Sequence, residues 1–284
     1  MTIAISLKVD DGVILASDSA SSLMVRDPQG KTGVGNIYNT ANKVFNLRKG
    51  LPIGAITWGA GSIGNASIST LIKDLRKRFS GEDPAHNDWH IDPDNYTVQE
   101  VAERLKGFIF DELYQPAFAS WKDKPVLGFM VVGYSANEKL AEEFKIDIAN
   151  GTCAGPVLIR QKPDSGVTWS GEPEAINRLM FGVAGQLPDV LVTQLGIQPA
   201  NVQTAIATIQ RACQAPLVMP AMPIQDAIDL AEFFVDLTIK FSKFNMGAPT
   251  VGGPIEIAAI TKHEGFKWVK RKHYFDTELN PEYT

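Results

Sequence analysis

The chain has 284 residues, 44% hydrophobic and 21% charged, which is ordinary globular composition with enough apolar residues for a sizeable core. Its net charge of −5 gives no electrostatic reason to expect nucleic acid or an anionic membrane, and two cysteines, Cys153 and Cys213, are too few for a disulfide framework. The opening lacks a basic start followed by an apolar block, and no apolar run approaches the roughly 18 residues of a membrane span, so a cytoplasmic protein with no signal peptide is expected.

The first elements form a hairpin. Ile3, Ile5, Leu7 and Val9 alternate with Thr2, Ala4, Ser6 and Lys8, the period of a strand. Asp10-Asp11-Gly12 supplies turn chemistry, and Val13 to Asp18 is a second β-rich run. Residues 26–35 carry Pro28, Gly30, Gly33 and Gly35 and read as a loop. Short strands follow at 43–47 and 52–58. The spacing of Ile68, Leu71, Ile72 and Leu75 predicts a helix from about Ser62 to Phe79. Thr97-Val98-Gln99-Glu100 fits a capping box, opening a helix that runs to about Tyr114.

Strands are expected at 126–133, 144–148, 156–159 and 167–169. Helices are expected at 172–182, 199–214 and, strongly amphipathic, 224–243. Strands at 254–260 and 266–269 close the chain. With no internal repeat, residues 1–284 read as one domain. The order of elements is not regular βαβ alternation; it suits an α+β fold with two stacked sheets between helix layers.

A threonine hydroxyl needs a base to act as a nucleophile, and only a chain-terminal threonine carries one on its own backbone, an α-amino group of pKa about 7.7–8.0. Thr2 gains that amine once Met1 is cleaved. Alone, a Met-Thr opening is a weak signal. The run that follows is stronger: Thr2-Ile3-Ala4-Ile5-Ser6-Leu7-Lys8-Val9-Asp10-Asp11-Gly12-Val13-Ile14-Leu15-Ala16-Ser17-Asp18-Ser19. It closely resembles the opening of proteasome β-type subunits, N-terminal-nucleophile hydrolases with a threonine, an alternating strand, an Asp-Gly turn, an apolar strand and an Ala-x-Asp-Ser element.

That resemblance implies a four-layer α/β/β/α sandwich and a peptidase whose nucleophile is Thr2. Asp18 becomes the acidic member of the catalytic group. Lys43, in Asn42-Lys43-Val44-Phe45, becomes its partner, although the loop before it is longer than usual. A lysine ammonium beside the hydroxyl favours its deprotonation and lowers the pKa of the amine. Gly61 matches the glycine that donates its N–H to the oxyanion at the start of the first helix. Ser170 matches the serine that assists the amine, but Trp169 replaces the glycine before it. Ser22 matches a position that binds substrate backbone. Ala41, Phe45 and Ile63 match positions that shape the pocket before the cut and point to an apolar preference.

Gly247 to Pro254 departs most from the pattern, because the family's late Asp and Ser are missing. Val-Gly-x-Pro at this point instead resembles the bacterial ancestral β-subunit branch, often called Anbu. The family further implies peptide or unfolded-protein substrates and a ring or ring-like homo-oligomer. An unfoldase partner is left open, and neither cofactor nor metal is required.

Other readings stay open. The chain could be a non-catalytic assembly subunit of the same fold, or an N-terminal-nucleophile amidase or transpeptidase acting on a small amide. Gly59-Ala60-Gly61-Ser62-Ile63-Gly64 also spells a dinucleotide fingerprint, which needs a parallel strand soon after the helix. Gly30-Lys31-Thr32 lacks the first glycine of a phosphate loop. His86, His90 and Asp92 lie in a loop without a nearby cysteine and read as a weak metal signal. Lys270-Arg271-Lys272 reads as a solvated strand end.

Overall fold

In the computed structural model, which describes residues 2–26, 32–276 and 278–280, the chain opens as the hairpin β1 (Ile3–Val9) and β2 (Gly12–Ser17), turning at Asp10-Asp11. β1 is buried along its whole length. The alternation therefore does not mark a wet face. Ile3, Ile5, Leu7 and Val9 enter a core shared with helices, while Ala4 faces a second core and Ser6 and Lys8 are buried in polar contacts.

β3 (Ser21–Arg26) and β4 (Thr32–Tyr38) pair as a separate ribbon, which corrects the loop expected over residues 26–35. The glycines there misled the reading. A Cβ at Gly35 would lie 2.6 Å from Val25 Cγ1, so close cross-strand packing requires glycine at a strand position. Residues 27–31, including Gly30 and Lys31 of the phosphate-loop-like string, lie outside the described residues.

β5 (Val44–Asn46) and β6 (Ile53–Gly59) follow, and then a small hairpin of β7 (Ser62–Ile63) and β8 (Ala66–Ser67). Only after it does α1 (Ile68–Ser80) begin, so the start expected near Ser62 is corrected by six residues. The local cause is the cap: Ser67 Oγ accepts the Thr70 N–H at 3.2 Å, and Gly64, at φ +57°, lets the chain turn before it.

α2 (Val98–Lys106) starts at Thr97, whose Oγ1 accepts the Glu100 N–H at 3.0 Å; it widens into a π-helix over Gly107–Tyr114 and ends in α3 (Gln115–Ala117). Next come β9 (Leu127–Gly133), β10 (Glu142–Ala149), β11 (Thr152–Leu158) and β12 (Gly166–Gly171). α4 (Glu174–Phe181), α5 (Leu187–Thr193), α6 (Val202–Cys213) and α7 (Ile224–Phe244) precede β13 (Glu256–Thr261) and β14 (Gly265–Lys270). α5 has no counterpart among the expected helices.

One five-stranded sheet runs β12-β1-β2-β13-β14 and the other β11-β10-β9-β6-β5. Every strand pair among the described residues is antiparallel. That removes the dinucleotide reading, because β6 has antiparallel neighbours on both sides.

Three apolar clusters hold the fold. Ala4, Val13 and Leu15 of the first sheet share one with Ile56, Trp58 and Met130 of the second. α7 packs Ala231, Phe234 and Val235 with Ile3, Ile5 and Ile14. α1 and α2 pack Leu71, Leu75, Val101 and Leu105 with Ile53, Phe129 and Ile146. Burying each such side chain stabilises by about 1.5–3 kcal/mol before entropy is counted. The functional consequence is placement: the start of β1 and the end of β2 lie side by side, held from both faces.

Candidate active site

The site is built where β1 begins and β2 ends. Ala4 is paired with Ser17, so Thr2 and Asp18 leave the ladder at the same edge. The Thr2 carbonyl accepts the Glu172 N–H at 2.8 Å. Gly171 must come this close: it has φ +99°, and a Cβ there would sit 1.9 Å from the Thr2 carbonyl oxygen. The last residues of β12 therefore clasp Thr2 through backbone alone. Met1 lies outside the described residues.

Asp18 is fully buried, and its carboxylate is saturated. Oδ1 accepts Lys43 Nζ at 2.7 Å and the Ile3 N–H at 3.1 Å. Oδ2 accepts the Ala20 N–H at 3.0 Å and the Gly252 N–H at 3.1 Å. One acid thus ties together the residue after Thr2, the lysine, its own following turn and the late glycine loop. Such a charge is tolerated in the interior only because it is paired and fully hydrogen-bonded.

Lys43 stands just before β5, its carbonyl accepting the Thr57 N–H at 3.0 Å. Burial pushes its ammonium below the usual lysine range, and Asp18 opposes that shift. Thr2 and Lys43 line the same cavity of about 610 Å³, together with Ser22, Ala41 and Gly61. A partly desolvated ammonium facing a hydroxyl across a cavity stabilises negative charge developing on the oxygen.

The other residues singled out in the sequence fall as follows. Gly61 N–H makes no hydrogen bond among the described residues, and its carbonyl accepts the Ile68 N–H at 3.0 Å. This amide precedes the small hairpin rather than opening α1, so the helix dipole expected to reinforce it does not sit there. Ser170 pairs with Ala4 across β1 and β12. Its Oγ is buried with no hydrogen-bond partner among the described residues, an unusual state for an inward hydroxyl. Trp169 turns away, packing on Phe181 and donating Nε1 to Asn177 Oδ1 at 3.2 Å. Ser22 and Ala41 line the cavity; Phe45 and Ile63 lie in the α1-side core and do not.

Sequence reading overlooked a second buried pair. Lys272 Nζ lies 2.8 Å from Glu256 Oε2 and 2.8 Å from Ser19 Oγ, which in turn donates to the Pro254 carbonyl at 2.6 Å. Glu256 is buried, and the Lys272 side chain is only 12% exposed. This corrects the solvated strand end expected over residues 270–272 at Lys272 alone, since Lys270 and Arg271 are exposed. Desolvation pushes the Lys272 ammonium down, opposed by Glu256. Gly252, in the loop that lacks the family's Asp and Ser, donates its N–H to Asp18, and its carbonyl accepts the Ser19 N–H at 2.9 Å. A signal for it existed in the glycines before β13, whose backbone can approach a buried carboxylate closely. His86 directs Nδ1 to Asp83 at 2.8 Å.

No protein-family model and no curated protein matches this sequence. Its structural neighbours are Anbu proteins. A Gly-1 mutant of Anbu from Hyphomicrobium sp. strain MC1 matches over 96% of this chain and 86% of its own, at 15% identity and a TM-score of 0.49. Anbu (ancestral beta-subunit) from Yersinia bercovieri matches over 95% of this chain and 88% of its own, at 11% identity and a TM-score of 0.45. Both overlays are loose, and the chemistry of the site rests on this chain's own residues. No helix among the described residues is long and apolar enough to cross a membrane.

Proposed function

We propose that this chain is an N-terminal-nucleophile hydrolase of the proteasome β type that cuts peptide bonds with Thr2 after removal of Met1. The observation that carries the reading is the Asp18 carboxylate, which bonds both Lys43 Nζ and the Ile3 N–H behind a cavity that Thr2 and Lys43 line. Thr2 Oγ attacks the substrate carbonyl carbon, and its proton passes to the α-amine of Thr2, directly or through water. The Gly61 N–H steadies the oxyanion. The tetrahedral species collapses, the departing amine takes the proton, and water then hydrolyses the ester to regenerate Thr2. Ser170 Oγ, buried and unpartnered, supports the amine.

The same reading takes residues 1–284 as a single domain layered α/β/β/α, cytoplasmic, and assembled with copies of itself into a ring or ring-like homo-oligomer. Enclosure keeps such a nucleophile from cutting proteins at large. Peptide or unfolded protein is the substrate, and an unfoldase would deliver it to a closed assembly.

A second reading, a non-catalytic assembly subunit, is favoured by one observation: the 247–253 loop offers Gly252 to Asp18 and has no acid or hydroxyl of its own beyond Thr250. Hydrolysis of fluorogenic peptides by the purified assembly separates the two. Turnover that Thr2→Ala lowers by about 10³-fold or more supports the nucleophile, since removing one typically costs that much. Equal traces of turnover in both proteins would leave the assembly reading standing. Small-amide substrates cut in preference to peptides would move the assignment to an amidase.

A further inference from the structure

Beside the Thr2 cavity lies a second one, of about 670 Å³, between α1, β14 and residues 271–275. The two share a wall of Thr40, Asn42, Ser69 and Lys73. Five cationic side chains line the second cavity: Lys49, Lys73, Arg76, Arg271 and Lys272. Its single carboxylate, Glu256, is already engaged by Lys272. Lys49, Lys73 and Arg76 have no carboxylate within ion-pair distance among the described residues. This concentration of positive charge sits in a chain whose net charge is −5. Burial and the neighbouring Arg271 push the Arg76 guanidinium down, and Glu82 opposes them. Two guanidinium groups that repel each other in a half-dry cavity are stabilised by an anion between them.

The rest of the lining mixes polar Asn42, Asn46 and Ser69 with aromatic side chains. Phe266, Trp268, Tyr274 and Phe275 contribute rings between the cations. A compact inorganic anion uses convergent donors and no rings. Cations drawn from the segment before β6, from α1 and from the chain after β14, interleaved with aromatic faces, fit an extended ligand with acidic and apolar residues in turn.

We propose that this cavity is a subsite for acidic residues of the peptide substrate, continuous with the Thr2 cavity across the Thr40–Asn42–Ser69–Lys73 wall. The inference rests on the peptidase reading, and its test separates the two. Labelled peptides of equal length, one alternating Glu with Leu and one alternating Lys with Leu, are titrated by fluorescence anisotropy into the Thr2→Ala assembly, which cannot turn them over. The Glu peptide should bind at least tenfold more tightly than the Lys peptide. Arg76→Gln should remove most of that difference. Lys49→Gln, at an exposed position that does not threaten folding, should remove about threefold of it.

In the wild-type assembly, kcat/KM for a cleavable Glu-rich peptide should exceed that for its Gln counterpart about tenfold, and Arg76→Gln should bring the ratio near one. Preferential binding without turnover in wild type would keep the subsite and sink the nucleophile. Equal binding of both peptides would overturn the subsite whether or not cleavage occurs. Displacement of the Glu peptide by inorganic phosphate at equal concentration would overturn the peptide assignment and leave a small-anion site.

Discussion

Two buried ionic networks among the described residues differ in their surroundings, and one of them borders the Thr2 cavity. Behind Thr2, Asp18 pairs with Lys43 and Glu256 with Lys272. Further along β1, Glu143 receives Ser6 Oγ at 2.6 Å and Arg160 Nε at 2.5 Å, Arg160 also bonds Thr168 Oγ1, and Lys8 Nζ donates to the Lys162 carbonyl at 2.7 Å. Both networks are desolvated, and each contains a lysine pushed down by burial. The difference lies in what is left over. In the Glu143 network Arg160 and Ser6 engage the carboxylate and Lys8 is spent on backbone carbonyls, and neither the Thr2 cavity nor the one next to it reaches them. In the Asp18 network, Lys43 and Gly61 line the same cavity as Thr2, and among the described residues neither the Gly61 N–H nor the buried Ser170 Oγ on β12 makes a hydrogen bond. A buried charge by itself marks a folded interior; a buried charge beside unspent donors at an open cavity marks chemistry.

The sharpest way to break this contrast is to neutralise each acid. Asp18→Asn should destabilise the fold by about 3–5 kcal/mol, because it strands the Lys43 ammonium in a dry site. It should also lower peptide turnover by about 100-fold, a loss of about 2.7 kcal/mol in transition-state stabilisation. Glu143→Gln should cost about 3 kcal/mol in chemical denaturation, by stranding Arg160, and leave turnover per folded molecule unchanged. If Glu143→Gln silences the enzyme without unfolding it, the two networks are not separable as described.

Lys43 sharpens the same comparison through pH. Its ammonium is needed charged, to hold Asp18 and to favour the Thr2 alkoxide. Burial lowers its pKa from the ordinary 10.5, so its proton is lost earlier than from an exposed lysine. The alkaline limb of kcat against pH should therefore fall below 10.5, and Lys43→Arg, which keeps its charge, should abolish that limb in whatever activity remains. A flat profile up to pH 10.5 would remove Lys43 from the reaction.

The smallest effect belongs to Ser170. Because its Oγ makes no hydrogen bond among the described residues, Ser170→Ala should shift stability by no more than about 0.5 kcal/mol. Turnover should drop by about tenfold, the worth of one good hydrogen bond to the amine. Unchanged turnover would make this hydroxyl a packing residue.

How much of this was legible in the sequence follows from which interactions are local. Thr2 and Asp18 could be related because a strand, a two-residue turn and a strand bring their positions to one edge by pairing alone. Lys43 lies just past one separate ribbon, β3–β4, and was matched by resemblance rather than by pairing. Gly252 meets Asp18 from 234 residues away and Lys272 meets Ser19 from 253, and no periodicity carries such information.

The β3–β4 ribbon was hidden by Gly33 and Gly35; at Gly35 a Cβ would crowd Val25 across the ribbon, whereas at Gly33 the space is open. The start of α1 was misplaced because Ser62 and Ser67 are both plausible caps, and only the hairpin between them decides. Phe45 and Ile63, pocket walls by resemblance, both pack in the α1-side core, and Phe45 also lines the cavity next to that of Thr2.

The most direct test of the central claim is the intact mass of the purified chain before and after incubation with a threonine-directed epoxyketone or β-lactone. The account predicts a starting mass lacking Met1 and a single adduct, absent in Thr2→Ala. A chain that retains Met1 in its folded assembly and gains no mass would contradict it, and would make the Asp18–Lys43 pair a structural element of a non-catalytic subunit.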